Sequence, residues 1–335
     1  MDVCLREDIA RHSKLITNPK PSTASPAVAT RTWPGYLIVA TIIAGVALLL
    51  YLRGHGLAPG TAVTTAAPAA SLELNGFRTD AWLLPDDSLL GFVEVPAGVF
   101  IMGSDKATDP MAFDNERWSP NQARGAVDLS SFYIGRYEVT VAQYRAFTVE
   151  TGRKVESQAL ASPAAHPVAF VSWPDALGYC RWLEGKMKAS SATPVTLKER
   201  LDAGWHVTLP SEAEWEKAAR GKDGRRYPWG EDDRTDRANV RSRSTVPAGS
   251  IACTDCVYGL SDMSGNVWEW TRSPYQPYPY EPGDDSTTAG LDALWVIRGG
   301  SFNDGEQMAR GATRAGADPG ARRAFIGFRV VLSEN

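Results

Sequence analysis

The sequence is short of the side chains that most often hold zinc. Only four cysteines and four histidines occur among its 335 residues. Cys253 and Cys256 lie three residues apart, but no second pair of Cys or His stands at ligand spacing, so the pattern does not indicate a zinc site. In an oxidising compartment these two thiols could instead close a small loop, and Cys180, on an apolar helix face, is expected in the core.

An excess of positive charge is also absent. The 35 Lys and Arg residues are outnumbered by 39 Asp and Glu residues, which gives a net charge of -4. Nucleic-acid-binding domains usually carry a basic surface, so the composition gives no support to nucleic acid as a partner. With 43% hydrophobic residues and 11 tryptophans the chain can build a core, and its 30 glycines indicate a fold rich in loops.

One long apolar run lies near the N-terminus. Tyr36 to Leu52 contains no charged residue, and roughly 17 to 25 apolar residues are needed to span a bilayer. The run predicts a transmembrane helix over residues 34–53. The alternative is the apolar core of a cleaved signal peptide, although such cores are usually shorter and closer to the start of the chain.

The basic residues around this run predict its orientation. Lys14, Lys20 and Arg31 precede it and only Arg53 follows closely, and an excess of Lys and Arg marks the cytoplasmic side. We therefore expect a cytoplasmic tail over residues 1–33, a flexible linker rich in Ala, Thr, Pro and Gly that is assigned to residues 54–88, and a folded domain over residues 89–335. In a bacterium this describes a single-pass inner-membrane protein with a periplasmic domain.

Three helix starts are predicted by their capping residues. Thr140 is a plausible cap for a helix beginning at Val141, Ser172 is followed three residues later by Asp175, and Ser211 is followed by Glu214. From Gly221 onward the chain is rich in Gly, Pro, Asp and Trp, with short strand candidates that include residues 309–315 and 325–332.

The stretch from Tyr258 to Thr271, YGLSDMSGNVWEWT, interleaves acids with aromatic rings. Calcium takes carboxylate and backbone carbonyl oxygens from irregular loops, and Asp262, Glu269 and the carbonyls of Gly265 and Val267 could supply them. The alternative from the residues alone is a turn leading into a buried strand, with two acids at the surface.

This string resembles the G-L-x-D-M-x-G-N-V-W-E-W signature of the formylglycine-generating enzymes, the sulfatase-modifying factor family. Further family motifs recur in order from about Gly91 to the C-terminus: FVEVPAGVFIMGS, FYIGRYEVTVAQYRAF, HPVAFVSWPDALGYCRW, LPSEAEWEKAARG, YPWG, RGGSF and GFR. The resemblance implies an α+β, C-type-lectin-like domain with little regular secondary structure. It also implies structural calcium at Asp262, Gly265, Val267 and Glu269, and a second calcium site beginning at Asn239 and Val240, where the following stretch is shortened.

The resemblance also implies two active-site cysteines that bind copper after the RGGS motif. Their positions fall on Asp304 and Ala309, and residues 298–330 contain neither Cys nor His. Soft thiolates are the ligands that suit Cu(I), so a copper site of this type is not expected. Another branch of the family uses a non-haem iron site, but His12, His55, His166 and His206 do not form an iron-ligand pattern.

Asp304, Glu306 and Arg310 are the candidate catalytic residues that remain. Alternation through Arg310, Ala312 and Arg314 predicts both arginines on one strand face, where they could bind a carboxylate or phosphate by paired hydrogen bonds. The alternative is a charged face with internal salt bridges.

Two functions stay open at this point. The first is a membrane-anchored binding or accessory protein of the cell envelope, with a protein or peptide partner in a secretion or signalling system. The second is an oxidoreductase or maturation enzyme of the same superfamily that uses site residues other than cysteine.

The anchor and its orientation are testable with a fused reporter. We expect a C-terminal reporter to be active only outside the cytoplasm, because the basic residues lie mainly before the apolar run. Membrane fractionation checks the anchor itself. Cytoplasmic reporter activity, or a soluble mature protein that starts near Ala67, would contradict the prediction.

Overall fold

The computed structural model describes residues 74–288 and 293–334. The predicted cytoplasmic tail, the transmembrane helix over 34–53 and the linker up to residue 73 lie outside these ranges. Within the ranges, no helix combines the length and apolar character that a membrane crossing requires.

The described residues contain short strands and four α-helices. The strands are β1 Phe77–Arg78, β2 Leu84–Pro85, β3 Phe92–Val95, β4 Gly98–Met102, β5 Gly125–Leu129, β6 Phe132–Gly135, β7 His206–Thr208, β8 Trp268–Pro274, β9 Trp295–Arg298, β10 Arg314–Ala317, β11 Ile326–Gly327 and β12 Val331–Ser333. The helices are α1 Val141–Thr151, α2 Trp173–Ala189, α3 Val195–Asp202 and α4 Glu212–Arg220.

The predicted helix starts are confirmed. The side chains of Thr140, Ser172 and Ser211 each accept a hydrogen bond from the backbone N–H three residues later, and the side chain found there returns a bond to the cap. This reciprocal arrangement satisfies two backbone donors that a helix start otherwise leaves unpaired. Cys180 of α2 is buried in the core, as predicted.

Two four-stranded sheets organise the domain. One has the order β3-β6-β12-β7 and is antiparallel. The other has the order β10-β9-β8-β11, in which only β8 and β11 run parallel. In the second sheet, Arg298 of β9 stands opposite Glu269 on one side and Arg314 on the other. Charged residues therefore lie at the centre of the sheet, whose two central strands β8 and β9 are buried except at Pro274.

The ordered fold begins N-terminal of residue 89. Strands β1 and β2 lie within the predicted linker 54–88 and pair with each other. Ala81 and Leu84 are buried in the main core, and the Gln143 side chain of α1 donates to the carbonyl of Leu83 at 2.9 Å. Residues 77–85 are thus packed parts of the domain.

Two further predictions can be compared with the structure. The strand predicted over residues 309–315 is present only from Arg314, so Arg310 precedes β10 and the prediction that Arg310 and Arg314 share one strand face is wrong. Turn hydrogen bonds take the place of a ladder there, such as Thr313 N to Arg310 O at 3.1 Å. Cys253 and Cys256 form a disulfide, one of the roles the sequence allowed.

Helix α4 is a charged helix that lies inside the protein. Its three glutamates each bind an arginine of the β10-β9-β8 sheet at 2.5 or 2.6 Å, pairing Glu212 with Arg314, Glu214 with Arg272 and Glu216 with Arg298. All six side chains are at most 8% exposed. The helix is therefore attached to the sheet by ion pairs as well as by Trp215, which is fully buried.

We predict that Arg298→Met destabilises the domain strongly. The guanidinium binds Glu216, and it also donates to three backbone carbonyls just before β10 at 2.9 to 3.0 Å, those of Gly311, Ala312 and Thr313. Removing one partner of a buried pair typically costs about 3–5 kcal/mol of unfolding free energy. Urea denaturation followed by tryptophan fluorescence measures the change.

Arg78→Met is the matched control, because Arg78 pairs with Asp80 at the surface. Exposed pairs contribute little to stability, so its denaturation midpoint is expected to stay close to that of the wild type. Equal midpoints for the two variants would show that the Arg298 pair does not hold α4 to the sheet.

Candidate functional site

Asp304 stabilises a turn in the loop that follows β9. Its Oδ2 accepts hydrogen bonds from the Ser301 N–H at 3.0 Å, the Ser301 hydroxyl at 2.6 Å and the indole N–H of Trp268 at 2.9 Å. The backbone N–H of Arg241 donates to the Asp304 carbonyl at 2.8 Å. This carboxylate oxygen is thus occupied by donors from its own loop and from β8.

Ala309, the second position where the resemblance implies a copper-binding cysteine, is buried. Its carbonyl accepts a hydrogen bond from the hydroxyl of Ser264 at 2.6 Å. A carboxylate bound to the Trp268 indole and a buried methyl group provide no sulfur donor. The residues present at Asp304 and Ala309 therefore do not fit a Cu(I) centre of the thiolate type.

Glu306 is partly buried, with 18% of its side chain exposed, and it binds Arg241. The two Arg241 nitrogens Nε and Nη2 reach its carboxylate at 2.5 to 2.9 Å, and the Arg241 side chain is 68% exposed. The arginine holds the pKa of the Glu306 carboxyl below its usual range. Glu306 is therefore an ionised, paired side chain next to the Asp304 turn.

Arg310 is buried and points to a different set of partners. Its guanidinium binds Glu116 through two nitrogens at 2.5 and 2.8 Å and Asp109 at 2.9 Å, and it lies over the Phe113 ring. The side chains of Asp304, Glu306 and Arg310 thus bind separate partners, and the structure does not unite them in one catalytic group. Arg314 belongs to the pair with Glu212.

Glu269, one of the two acids of the predicted calcium site, is fully buried and doubly paired. Arg329 donates Nε to Oε2 and Nη2 to Oε1, each at 2.6 Å, and the indole of Trp215 donates to Oε2 at 2.8 Å. Such a bidentate pair is among the strongest hydrogen-bonded arrangements of a carboxylate. Both Glu269 oxygens already accept bonds from protein groups.

Asp262, the other predicted acid, lies close enough to interact with Glu269 and Arg329. It is 8% exposed, its φ is 56°, and its Oδ2 accepts a bond from the Gly249 N–H at 2.6 Å. Burial raises the pKa of this carboxyl to about 6. Ionised Asp262 is consequently costly to the folded state.

Glu138 is a third acid of this group, and the sequence reasoning missed it. It is 1% exposed, and its carboxylate accepts bonds from the Asn266 side chain at 2.6 Å and the Val267 N–H at 3.2 Å. Burial raises its pKa well above the usual range, and the charges of Asp262 and Glu269 add to this effect. Its place in the sequence is a signal that could have identified it as a site residue. Glu138 lies in the YEVT motif, between strand β6 and the helix cap Thr140.

The two predicted calcium sites are neighbours in the structure. Asn239 and Gly265 form an isolated parallel bridge, and a Cβ on Gly265 would approach the Asn239 carbonyl oxygen to 2.4 Å. The Asn239 amide donates to Asn266 Oδ1 and to the Ser244 carbonyl, each at 3.1 Å, while Val240 N donates to Ala238 O. The Asn239 side chain therefore holds its own loop together.

Some features of these residues suit a calcium site and others do not. Three buried carboxylates, those of Glu138, Asp262 and Glu269, face one guanidinium, and hard oxygen donors with excess negative charge suit a divalent cation. Among the described residues, however, no three His, Cys, Asp or Glu side chains converge as metal ligands, and Glu269 is bound to Arg329. Structural calcium remains a prediction.

That prediction can be tested through the acid with the raised pKa. Because the folded pKa of Asp262, about 6, exceeds the unfolded value of about 4, its ionisation destabilises the fold as pH rises through this interval. We expect the calcium-free protein to lose on the order of 3 kcal/mol from this group between about pH 4 and pH 7. Asp262→Asn should remove that part of the pH dependence. Chemical denaturation over this range measures it.

Calcium addition at about pH 7 provides the second comparison. If Asp262 is a ligand, calcium should stabilise the wild type but not Asp262→Asn, and a chelator should reverse the gain. Burial also raises the pKa of Asp285 to about 6. Because Asp262→Asn leaves Asp285 unchanged, a difference between the two proteins is due to Asp262. Equal responses of both proteins to calcium would remove Asp262 from the ligand set.

Comparison with known proteins identifies the family of the domain. The sequence profile of the sulfatase-modifying factor enzyme 1-like domain matches residues 84–334. The chain is 33% identical over 266 residues to hercynine oxygenase of Mycolicibacterium smegmatis, a match that covers 71% of this chain and 60% of the relative. It is 31% identical over 287 residues to the inactive C-alpha-formylglycine-generating enzyme 2 of Mus musculus, with 72% and 85% covered.

Among solved structures, PvdO from Pseudomonas aeruginosa is similar to this chain, with a TM-score of 0.57 and 25% sequence identity. That match covers 72% of this chain and 93% of PvdO. The chain spans about three-fifths of the length of the hercynine oxygenase it matches. The mixed helices and sheets, the ordered motifs and the matched profile lead to one assignment: the chain belongs to the sulfatase-modifying factor enzyme 1-like domain family.

Proposed function

We propose that this chain is a membrane-anchored, extracytoplasmic member of its family that works as a binding or accessory module of the cell envelope. One observation carries the proposal: the two positions implied for copper-binding cysteines, Asp304 and Ala309, are both built into the fold through Trp268, Ser301 and Ser264. The domain keeps the family scaffold without the thiols that formylglycine formation would use. The similarity to an inactive relative supports the same view.

The position of the loops supports a role in binding. Short strands and buried ion pairs hold the framework, and residues 221–259, most of which are exposed or partly exposed, follow α4 without an α-helix or a named strand. Loops carried on a rigid framework commonly provide binding residues. A protein or peptide partner in the envelope, for example in a secretion or signalling system, is the partner class we propose, and the helix predicted over residues 34–53 would place the domain beside it.

An oxidoreductase with different site residues is the second candidate, and the similarity to hercynine oxygenase favours it. The two histidines in the described residues do not support a shared iron site. His166 bonds to Thr245 at 2.9 Å, whereas His206 bonds to Glu184 at 3.2 Å. Asp304, Glu306 and Arg310 remain the residues to test for such chemistry.

We predict that the wild-type protein forms no formylglycine. Purified full-length protein is incubated with copper, oxygen and a peptide carrying the sulfatase-type cysteine, and mass spectrometry follows conversion of the thiol to the aldehyde. An active formylglycine-generating enzyme is the positive control. Because neither Asp304 nor Ala309 supplies a thiolate, the peptide should stay unmodified.

Oxygen uptake distinguishes the two candidate functions in the same preparation. With iron(II) and hercynine added, the binding proposal expects no uptake beyond that of a protein-free control. Uptake that is lost in Glu306→Gln would favour the oxidoreductase. Aldehyde formation by the unmodified protein would overturn the binding proposal and make Cys253 and Cys256 the first residues to examine.

A further inference from the structure

A groove lies between residues 114–120 and residues 275–278, where the chain leaves β8. Its volume is about 390 Å³, within the range of about 300–1,000 Å³ that is typical of ligand pockets. All of its lining residues except Tyr278 and Arg314 are exposed or half-buried. The side chains on both walls can therefore contact a ligand directly.

Tyr275 forms one wall, and β10 holds its ring in place. The ring lies over Gly316, where an added Cβ would come within 2.7 Å of Tyr275 Cγ, and the Arg314 guanidinium is 5.1 Å from the ring centroid. Gly316 and Arg314 are two residues apart in β10 and therefore lie on one face of the strand. Packing fixes the ring from that side, so little conformational entropy is lost when a ligand binds against it.

Arg117 holds the opposite wall in shape. Its Nε donates to the Ser119 carbonyl at 2.8 Å, and its Nη2 donates to the Pro120 carbonyl at 3.0 Å. Its Nη1 lies 3.5 Å from Asp105 Oδ2, so the positive charge of Arg117 is used within its own loop. Pro120 is exposed on this wall, and Pro277 is exposed on the tyrosine side. One tyrosine ring and two proline rings thus line the groove.

Two polar groups of the groove have bonding capacity left. The Tyr275 hydroxyl accepts a hydrogen bond from Asn115 Nδ2 at 2.9 Å, and it donates to no residue in the ranges 74–288 and 293–334. Asp114 Oδ1 bonds to Lys106 Nζ at 3.1 Å, while its Oδ2 has no bond within the described part of the chain. The Asp114 side chain is 92% exposed. The groove therefore offers a hydrogen-bond donor and a negative charge beside its rings.

We propose that this groove binds a proline-rich segment of a partner protein in the polyproline II conformation, with a Lys or Arg of that segment at Asp114. Polyproline II has no internal hydrogen bonds, so its carbonyls are available to the Tyr275 hydroxyl. Grooves lined by aromatic rings bind such segments because the extended helix is preformed and loses little entropy. The charge of Asp114 favours a basic residue in the segment over an acidic one.

This inference rests on the proposed function and narrows its partner class to a proline-rich peptide. The groove is separate from the turn of Asp304, because Tyr275 follows the end of β8 whereas Trp268, which binds Asp304, begins that strand. Failure of peptide binding would remove this inference alone. The aldehyde and oxygen-uptake assays decide the proposed function separately.

The test measures peptide binding to the full-length protein in phosphatidylcholine nanodiscs by fluorescence anisotropy, with empty nanodiscs as the blank. The labelled probe is Arg-Pro-Pro-Leu-Pro-Pro-Arg, which carries a basic residue at each end so that binding in either direction is detected. One control peptide replaces every proline with alanine, and another replaces both arginines with glutamate. We expect each control to bind about tenfold more weakly than the probe, because the first is not preformed and Asp114 repels the second.

Two variants place the binding in the groove. Tyr275→Ala removes the ring and the hydroxyl donor, and Tyr258→Ala removes another half-buried ring as its control. Asp114→Lys reverses the charge of an exposed ion pair, and Asp236→Lys does the same at a second exposed pair. We expect Tyr275→Ala to weaken binding about tenfold, and Asp114→Lys to bind the glutamate peptide more tightly than the probe, while both controls keep the wild-type affinities.

Because Asp114 is at the surface, Asp114→Lys should keep the wild-type melting temperature even if Tyr275→Ala lowers it. No binding of the probe by the wild type, equal affinity for the probe and its alanine version, or unchanged affinities in either groove variant would overturn the proposal. Chitotetraose is the further comparison, since a sugar ring also packs on an aromatic side chain. If it binds the wild type but not Tyr275→Ala, and the peptide does not bind, the groove is a saccharide site and the proposal is wrong.

Discussion

Ion pairing between α4 and the β10-β9-β8 sheet is the interaction on which the rest of the domain depends. The described strands are short, so ladders alone hold little of the chain. Arg272, Arg298 and Arg314 each bind a glutamate of α4 and also donate to backbone carbonyls, including those of Leu209, Gly311 and Gln276. Because a guanidinium has five donors, one side chain can satisfy a carboxylate and several loop carbonyls together. The arginines thereby order segments that lack regular structure.

Side-chain contacts of the same kind hold the loop that carries Asp304 and Ala309. Arg310 binds Glu116 across 194 residues of sequence and fixes the end of the loop that begins at Gly299. Trp268 and Ser264 hold the positions of Asp304 and Ala309 within that loop. None of these contacts needs a thiol or a metal, so the loop keeps its shape with a carboxylate and a methyl group in place.

Local signals in the sequence are sufficient to predict the helix starts. They do not predict which side chains pair when the two residues are far apart in the sequence. The caps at Thr140, Ser172 and Ser211 are read within four residues, which is why their prediction is correct. Alternation assigns Arg310 and Arg314 to one strand face, but the turn before β10 and the arginines' acidic partners depend on tertiary contacts. Asp304 looks like a free acid in the sequence for the same reason, because the Trp268 indole that occupies it lies 36 residues away.

Buried charge is unevenly distributed on the two sides of Trp215. On one side, the Arg298 guanidinium lies over the indole ring. There each glutamate of α4 has at least one arginine partner, and Glu216 has two, Arg220 and Arg298. Toward Glu269, which accepts the indole N–H, three carboxylates share the single guanidinium of Arg329. A buried carboxylate without a counter-charge must take up a proton or a cation. The acidic side is therefore where we expect a bound cation such as calcium to stabilise the fold, and burial there raises the pKa of Asp262 to about 6.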